Sequence, residues 1–146
     1  KDIKGFNFEE GYLKKIVITA QANNYILIQE LEKKVDYRMN LLGKWKLQKQ
    51  NDSMSISKLP SLVINLTNMS FQGNSYCNNY SGKIKVLNFN SITFEKAILT
   101  KKYCALLKTE AQYLEKLSLT NTYLIKGKNL YLYDKKGIKI LSFTKQ

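Results

Sequence analysis

Short apolar runs, separated by polar or glycine-bearing breaks, recur beyond residue 41 at spacings of about 10 to 15 residues. Many contain β-branched and aromatic residues, which favour strands. Alternation is clearest in Leu130-Tyr131-Leu132-Tyr133, where the leucines share one face and the tyrosines the other. The sequence therefore predicts a mainly β protein with an antiparallel layer, built from strands at 45–47, 62–66, 69–71, 83–89, 91–94, 123–125, 130–133 and 138–143.

One stretch has the pattern of a helix. Thr109 is suited to cap its first turn, with Gln112 in the capping-box position and Glu110 at the positive end of the helix dipole. Apolar residues at helical spacing predict the inward face: Leu107, Ala111, Leu114 and Leu117. We predict one helix over about 107–118, packed on a strongly curved sheet.

The first 40 residues are interpreted as an extension to a domain of 41–146. Residues 1–11 mix charge, glycine and aromatics without a period, which is typical of a loosely attached lead-in. Two β-branched or aromatic runs, 14–20 and 25–29, flank a turn-forming stretch and predict a β-hairpin. We expect the hairpin to add edge strands to the main sheet, and a separate arm is the alternative.

The break 51–60 contains the chain's one proline and several serines. Such residues favour turns and solvent-facing segments. The sequence therefore predicts an exposed loop there.

The cysteines occupy two related places in the sequence. Cys77 lies between two turn-forming stretches, Gly73-Asn74-Ser75 and Ser81-Gly82. The chain is therefore predicted to turn there. Cys104 follows the next two predicted strands. The pair can form one disulfide, contributing roughly 3 to 4 kcal/mol, or remain two buried thiols. A disulfide would indicate an oxidising compartment.

The segments around both cysteines resemble the META domain, the family of the bacterial heat-shock lipoprotein HslJ. The family pattern runs Gly-x-x-Gly-Cys-Asn-x-x-x-Gly and later Thr-x-x-x-Cys. Tyr76 departs from it, because the family has glycine there; if that glycine has a positive φ, either Tyr76 is strained or the turn differs. The likeness covers about 41–143, and its motif residues are Gly73, Cys77, Asn78, Gly82, Thr100 and Cys104.

The resemblance implies an open or conical β-barrel closed on one side by a helix, a shape similar to lipid-binding pilotins of secretion systems. It also implies that Cys77 and Cys104 are structural. Family members are often lipoproteins, so we expect a protein of the bacterial periplasm or outer membrane, tethered by a lipid anchor upstream of Lys1. The chain has no run of about 18 apolar residues that would form a membrane-spanning helix.

The residue types restrict the available chemistry. Zero histidines remove the commonest general base and the triads and zinc-protease motif that need it. Two cysteines are too few for a structural zinc site, and no phosphate-binding glycine loop occurs. We expect no enzyme, metal or cofactor, because the acidic residues beyond 41 also stand singly, at Asp52, Glu95, Glu110, Glu115 and Asp134.

The formal net charge of +13 is concentrated in one part of the chain. Residues 41–146 carry 17 basic and 5 acidic residues, whereas residues 1–40 carry 7 and 6. Arg38 is the only arginine, and lysine lacks the planar fork that reads guanine edges. We interpret the lysines as a solvated surface, with weak contact to an anionic surface as the alternative.

The resemblance to the META domain implies a binding module of the bacterial cell envelope, related to stress or secretion, whose partner is an unknown protein or an apolar ligand. The missing catalytic residue types fit a non-enzymatic role. Asn78, Tyr80 and Ser81 form the candidate binding rim at one mouth of the barrel. Asn78 has a second interpretation, in which its amide bonds the backbone and holds the turn. The alternatives are a carrier of a small apolar or lipid ligand inside the barrel, which a filled interior would exclude, and a basic module for nucleic acid or another anionic polymer.

Overall fold

The computed structural model describes residues 2–48 and 59–146. The chain divides into two compact units, Lys1–Met39 and Asn40–Gln146. Most of the loop predicted at 51–60 lies outside the described residues, although Pro60 at its end is buried. Within the described ranges, no helix has the length and apolar character needed to cross a membrane.

The first unit is a three-stranded sheet. β2 (Tyr12–Gln21) and β3 (Asn24–Val35) form an antiparallel hairpin, which confirms the predicted one and extends it. β1 (Ile3–Lys4) pairs in parallel with β3, so the lead-in predicted for the first residues is wrong at this point. The hairpin also adds no strands to the main sheet, because β1, β3 and β2 pair with one another in a separate sheet within a unit of their own.

In its described residues, the second unit contains an α-helix and nine strands. A 3₁₀ turn, Tyr37–Leu41, precedes them in the chain. The elements are β4 (Gly43–Leu47), β5 (Ser61–Asn65), β6 (Ser70–Asn74), β7 (Asn79–Leu87), β8 (Ile92–Phe94), β9 (Ile98–Leu99), α1 (Leu107–Ser118), β10 (Thr122–Lys126), β11 (Asn129–Tyr133) and β12 (Lys139–Lys145). The predicted strands all coincide with observed ones. β7 begins earlier than predicted because Asn79 to Gly82 already pair with β6.

The main sheet curls until it almost closes on itself. Its strand order is β10, β11, β12, β4, β5, β6, β7, β8, with β9 paired to β7. A bridge between Ser91 and Thr122 joins the two ends, and the Ile92 amide donates to the Asn121 carbonyl at 3.1 Å. The structure therefore confirms the mainly β, barrel-like fold with one helix.

The helix has the predicted bounds but a different cap and a different inner face. Its N-cap is Leu106 without a side-chain hydrogen bond, so Thr109 lies inside the first turn and does not cap it. Of the predicted inward residues only Leu117 is buried. The inner face is rotated because hydrogen-bond donors hold a carboxylate on it; its buried residues are Glu110, Tyr113 and Leu117.

The core fills the inside of the barrel. Trp45 and Phe143 are fully buried, and the rings of Phe71 and Phe94 pack at 4.7 Å between centroids. Leu130 and Leu132 are inside while the alternating tyrosines are half-buried outside, as the pattern predicted. Each such buried side chain contributes roughly 1.5 to 3 kcal/mol, so burial supplies most of the stability of this unit.

Candidate functional site

Two distant segments meet beside the start of the helix. Residues 75–78, which we call the cysteine turn, connect β6 to β7, and residues 100–104 lead into α1. A disulfide between Cys77 and Cys104 joins them, with the Cα atoms 6.1 Å apart. The sequence left open whether the two cysteines form a disulfide or remain buried thiols, and the structure contains the disulfide.

The two motif glycines, Gly73 and Gly82, lie where neighbouring groups pack too closely for a side chain. A Cβ at Gly73 would overlap the Ser61 carbonyl oxygen and lie 2.8 Å from the Tyr80 hydroxyl. A Cβ at Gly82 would lie 2.6 Å from the ring of Phe71. Real Cβ atoms do not come so close to other groups, so both positions need glycine because of the neighbouring strand or ring and not because of a positive φ.

Tyr76 adopts the left-handed backbone conformation that the family's glycine suggested. Its φ is +81°, a region that costs a residue with a Cβ about 1 kcal/mol or more. The ring stands edge-on to Tyr113 with centroids 6.3 Å apart. Tyr76 is therefore a strained position, one of the two outcomes predicted from the sequence.

The Asn78 side chain fastens the cysteine turn to the segment before the helix. Its Oδ1 accepts hydrogen bonds from Thr100 Oγ1 at 2.8 Å and from the Lys102 amide at 2.7 Å. Its Nδ2 donates to Glu110 Oε2 at 2.8 Å and to the Lys102 carbonyl at 3.2 Å. All four hydrogen-bonding positions of the amide are used, so the Asn78 side chain holds the cysteine turn against the segment before the helix.

Glu110 is the centre of this network, although only 3% of it is exposed. Its Oε1 accepts from the Ser75 hydroxyl and, at 2.8 Å, from the Asn78 amide. Burial by itself raises the pKa of Glu110, but these hydrogen bonds and those from the Asn78 side chain and the Cys77 amide outweigh it, so the pKa lies below the ordinary value of 4.5. The carboxylate is thus ionised and balanced by neutral donors.

The sequence did not reveal this role of Glu110. The sequence predicted its place at the positive end of the helix dipole, and the structure confirms that place in the first turn. It did not predict the burial, because the cysteine turn that covers Glu110 is more than 30 residues away in the chain. The available signal was the resemblance of Glu110, Tyr113, Leu114 and Leu117 to the helix of the META family.

Two tyrosines continue the polar contacts into the barrel. Tyr80 Oη donates to the Ser61 carbonyl at 2.8 Å and lies 2.7 Å from Tyr113 Oη, which therefore donates to it. Burial raises the pKa of both phenols well above the ordinary value. Both side chains are consequently neutral and act as hydrogen-bonded core residues.

The predicted binding rim is not assembled as one surface. Asn78 and Tyr80 are each 3% exposed, and only Ser81 is exposed. Ser81 lies on the outer face of the sheet, in register with Gln72 of β6 and Ile98 of β9. A surface contact at this position must therefore use the outer face and not the mouth of the barrel.

An open groove of about 510 Å³ lies on this outer face. It mixes amide and hydroxyl groups with aliphatic side chains and has no carboxylate or lysine in its lining. Within the described ranges, no three histidine, cysteine, aspartate or glutamate residues form a metal-binding group. The groove is suited to recognition; its lining residues are Val63, Gln72, Gly73, Asn79, Tyr80, Ser81, Ile98, Leu99 and Thr100.

The fold places the second unit in the class of small, nearly closed antiparallel β-barrels with a packed helix, and in this chain a disulfide fastens a glycine-framed turn near the start of that helix. The family model of the META domain matches residues 39–146. The chain therefore belongs to the META domain family.

Two solved structures show the same fold. An NMR structure of a protein from Burkholderia xenovorans is 18% identical, with a TM-score of 0.57, covering 74% of this chain and 86% of that one. A crystal structure of a DUF4847 family protein from Bacteroides vulgatus is 12% identical, with a TM-score of 0.53, covering 75% of this chain and 97% of that one. Comparison with curated proteins finds no match. At these identities the likeness concerns the fold alone.

Proposed function

We propose that this protein is a non-enzymatic binding module of the bacterial cell envelope, serving a stress or secretion process by recognising a partner at its surface. The observation that carries the proposal is the disulfide between Cys77 and Cys104. Disulfides form and persist in oxidising compartments such as the periplasm and are rare in the cytosol. Membership of the META domain family supports the same compartment, since HslJ is a lipoprotein of bacteria.

The network around the disulfide supports a structural and not a catalytic role for its groups. The Glu110 carboxylate is occupied by hydrogen bonds from Ser75 and Asn78. Both sulfur atoms belong to the disulfide, and no histidine exists in the chain. A general acid or base must reach a substrate with a free lone pair or proton. The lone pairs of the Glu110 carboxylate are engaged in hydrogen bonds, and the disulfide sulfurs carry no proton.

The inside of the barrel supports recognition at the surface over capture of a ligand within. Trp45, Phe71 and Phe143 project inward and are at most 1% exposed. Small barrels are either filled by their own side chains or hold a ligand. In this barrel, large aromatic side chains occupy the interior where a ligand would bind. The groove around Ser81 provides a surface with both polar and apolar contacts.

The proposal is tested by the state of the cysteines in a bacterium that expresses the complete gene. We expect the protein in the periplasmic or membrane fraction, and a maleimide carrying polyethylene glycol should label it only after reduction. The Cys77→Ser variant is the matched control, because its remaining Cys104 thiol should be labelled without reduction. A wild-type protein that is found in the cytosol and labelled without reduction would overturn the proposal.

Recognition through the groove is tested with a photo-crosslinking amino acid in place of Ser81. The control places the same amino acid at Lys108, an exposed position on the helix outside the groove. We expect a discrete crosslinked envelope partner from the first position and none from the second. Equal crosslinking from both would argue against the groove as the recognition surface.

A further inference from the structure

A second surface of the same unit is dominated by lysine. It comprises the outer face of β10, β11, β12 and the adjoining β4, with the turns between the first three strands, and we call it the lysine face. Its lysines are all exposed: Lys44, Lys46, Lys126, Lys128, Lys135, Lys136 and Lys139.

Strand register brings these lysines to one side of the sheet. Lys126 lies opposite Asn129, Asn129 opposite Thr144, and Thr144 opposite Lys46, so a single row crosses four strands. Lys139 lies opposite Tyr133, at the other end of β11. Because Leu130 and Leu132 are buried on the opposite side, this row and the tyrosines face outward.

The positive charge of this face has little local compensation. In the part of the chain that the structure describes, the ion pairs all lie between Glu9 and Arg38, in the first unit. Residues 119–146 contain six lysines and one acidic residue, Asp134. Its Oδ1 accepts the backbone amides of Lys136 and Ile138, both at 2.9 Å, and thereby shapes the turn between β11 and β12. The net field at this face therefore attracts anions.

Apolar and aromatic groups are placed among the lysines. Ile138 is 58% exposed on a turn that is closed by the hydrogen bond from the Asp134 amide to the Ile138 carbonyl. Leu124 is 40% exposed and lies opposite Tyr131. The Lys139 ammonium stands 5.5 Å from the centroid of the Tyr131 ring. A hydrogen-bonded turn thus presents an aliphatic side chain next to exposed lysines, Lys135, Lys136 and Lys139.

We propose that the lysine face docks on an anionic lipid bilayer. Lysine is a compact point charge that needs no fixed partner geometry, which suits the diffuse charge of anionic headgroups. Ile138 and Leu124 would enter the boundary of the acyl chains, and the tyrosines would lie at headgroup level, where one end of the side chain is apolar and the other wet.

Single-stranded nucleic acid is a poorer match. Bases stack on open aromatic faces in a positively charged groove, whereas here the outer face of a barrel is convex and Lys139 covers the ring of Tyr131. Bilayer docking goes beyond the proposed function and does not depend on the disulfide, so either proposal can fail without the other.

The test is co-sedimentation of the whole chain with vesicles of phosphatidylcholine that contain phosphatidylglycerol, beside vesicles of phosphatidylcholine alone. We expect binding to the anionic vesicles, weakened by salt, and none to the neutral ones. A lysine near an anionic surface contributes about fivefold in affinity, so the variant Lys135→Gln/Lys136→Gln/Lys139→Gln should lose on the order of a hundredfold.

The matched control removes the same charge elsewhere in this unit. Lys85, Lys96 and Lys108 are exposed and lie outside the lysine face. Charges farther from the bilayer than about 10 Å are largely screened, so Lys85→Gln/Lys96→Gln/Lys108→Gln should change affinity by no more than about twofold. Ile138→Ser should weaken binding about fivefold without altering its salt dependence.

Three results would overturn the proposal. The first is the absence of binding to anionic vesicles at low salt. The second is an equal loss in both triple variants, which would indicate general attraction by net charge. The third is binding of single-stranded DNA, measured by fluorescence anisotropy and lost in the first triple variant, in a protein that does not bind vesicles. Unchanged thermal unfolding of each variant, followed by the fluorescence of buried Trp45, shows that a lost interaction is not a lost fold.

Discussion

The two units of this protein are built from similar strand-forming residues but are supported in different ways. No described residue of the first unit is buried, and Ile28 and Leu31 are 61% and 50% exposed. All buried apolar side chains lie in the second unit, which also holds the buried Glu110 network. The first unit contains all the ion pairs that the structure describes, and the second contains the excess of lysine.

This difference shows that strands can pair into a sheet without forming a buried hydrophobic core. Surface ion pairs contribute roughly 0 to 1 kcal/mol each, and a small sheet without a buried face is marginal by itself. The second unit gains from burial, from the disulfide and from satisfied buried polar groups. Substitutions of the same type should therefore have very different effects in the two units.

The largest expected effect is that of Gly73→Ala. The new Cβ would overlap the Ser61 carbonyl oxygen on the paired strand, and overpacking against backbone should lower the free energy of unfolding by about 3 kcal/mol or more. Urea unfolding followed by Trp45 fluorescence measures it. Gly11→Ala is the comparison in the first unit, where φ is +83° and no atom lies within 4 Å. Backbone strain of about 1 kcal/mol is all we expect there, and hydrogen exchange of the β2 and β3 amides measures it because Trp45 reports on the second unit. Equal effects of the two substitutions would contradict the packing argument.

Removal of the disulfide should lower the free energy of unfolding by nearly as much. The double variant Cys77→Ser/Cys104→Ser opens a connection between residues 27 apart in sequence, which should cost about 3 to 4 kcal/mol of the free energy of unfolding. The same loss should follow reduction of the wild type. If Trp45 fluorescence gives the same urea midpoint with and without reductant, the disulfide does not stabilise the second unit.

Glu110→Gln should lower the free energy of unfolding by about 2 to 3 kcal/mol, because its amide NH₂ would face the Asn78 donor and leave buried groups unpaired. The wild type should also lose stability in acid. The pKa of Glu110 is lower in the folded protein than its ordinary 4.5, so its contribution is complete above about pH 4.5 and is lost as the pH falls through the folded value.

Unfolding midpoints measured from pH 7 to 3 check this prediction. The slope should be steeper in the wild type than in the Glu110→Gln variant. Parallel curves would show that the carboxylate of Glu110 does not contribute to acid sensitivity.

The smallest expected effect is that of Glu9→Gln in the first unit. Hydrogen bonds from Lys14 and then Lys33 lower the pKa of Glu9 to about 2, so its ion pairs persist until strongly acidic pH. Removing the charge should leave the Trp45 unfolding midpoint unchanged, while hydrogen exchange of the β2 and β3 amides should become faster. A shift of the midpoint as large as that of Glu110→Gln would contradict the contrast between the units.

Much of the fold was predictable because local patterns carry it. The apolar runs, and the alternation of leucine and tyrosine in residues 130–133, predicted the strands. The helix has its predicted bounds. The motif from Gly73 to Cys104 indicated the family over the region that the META domain model matches. Predictions failed where a distant segment decides the environment: Thr109 does not cap the helix, Asn78 and Tyr80 are inside, and the hairpin forms its own sheet.

The sequence by itself determined the strand rhythm, the glycine-framed turn, the absence of histidine and the lysine excess, because these depend on residue type and near neighbours. Only the tertiary structure decided that Glu110 is buried and ionised, that Gly73 must lack a Cβ, and that lysines from three strands and the turns between them share one face. The physical reason is that burial, close approach and summed charge are properties of segments far apart in the chain, and they exist only once the sheet has curled and paired.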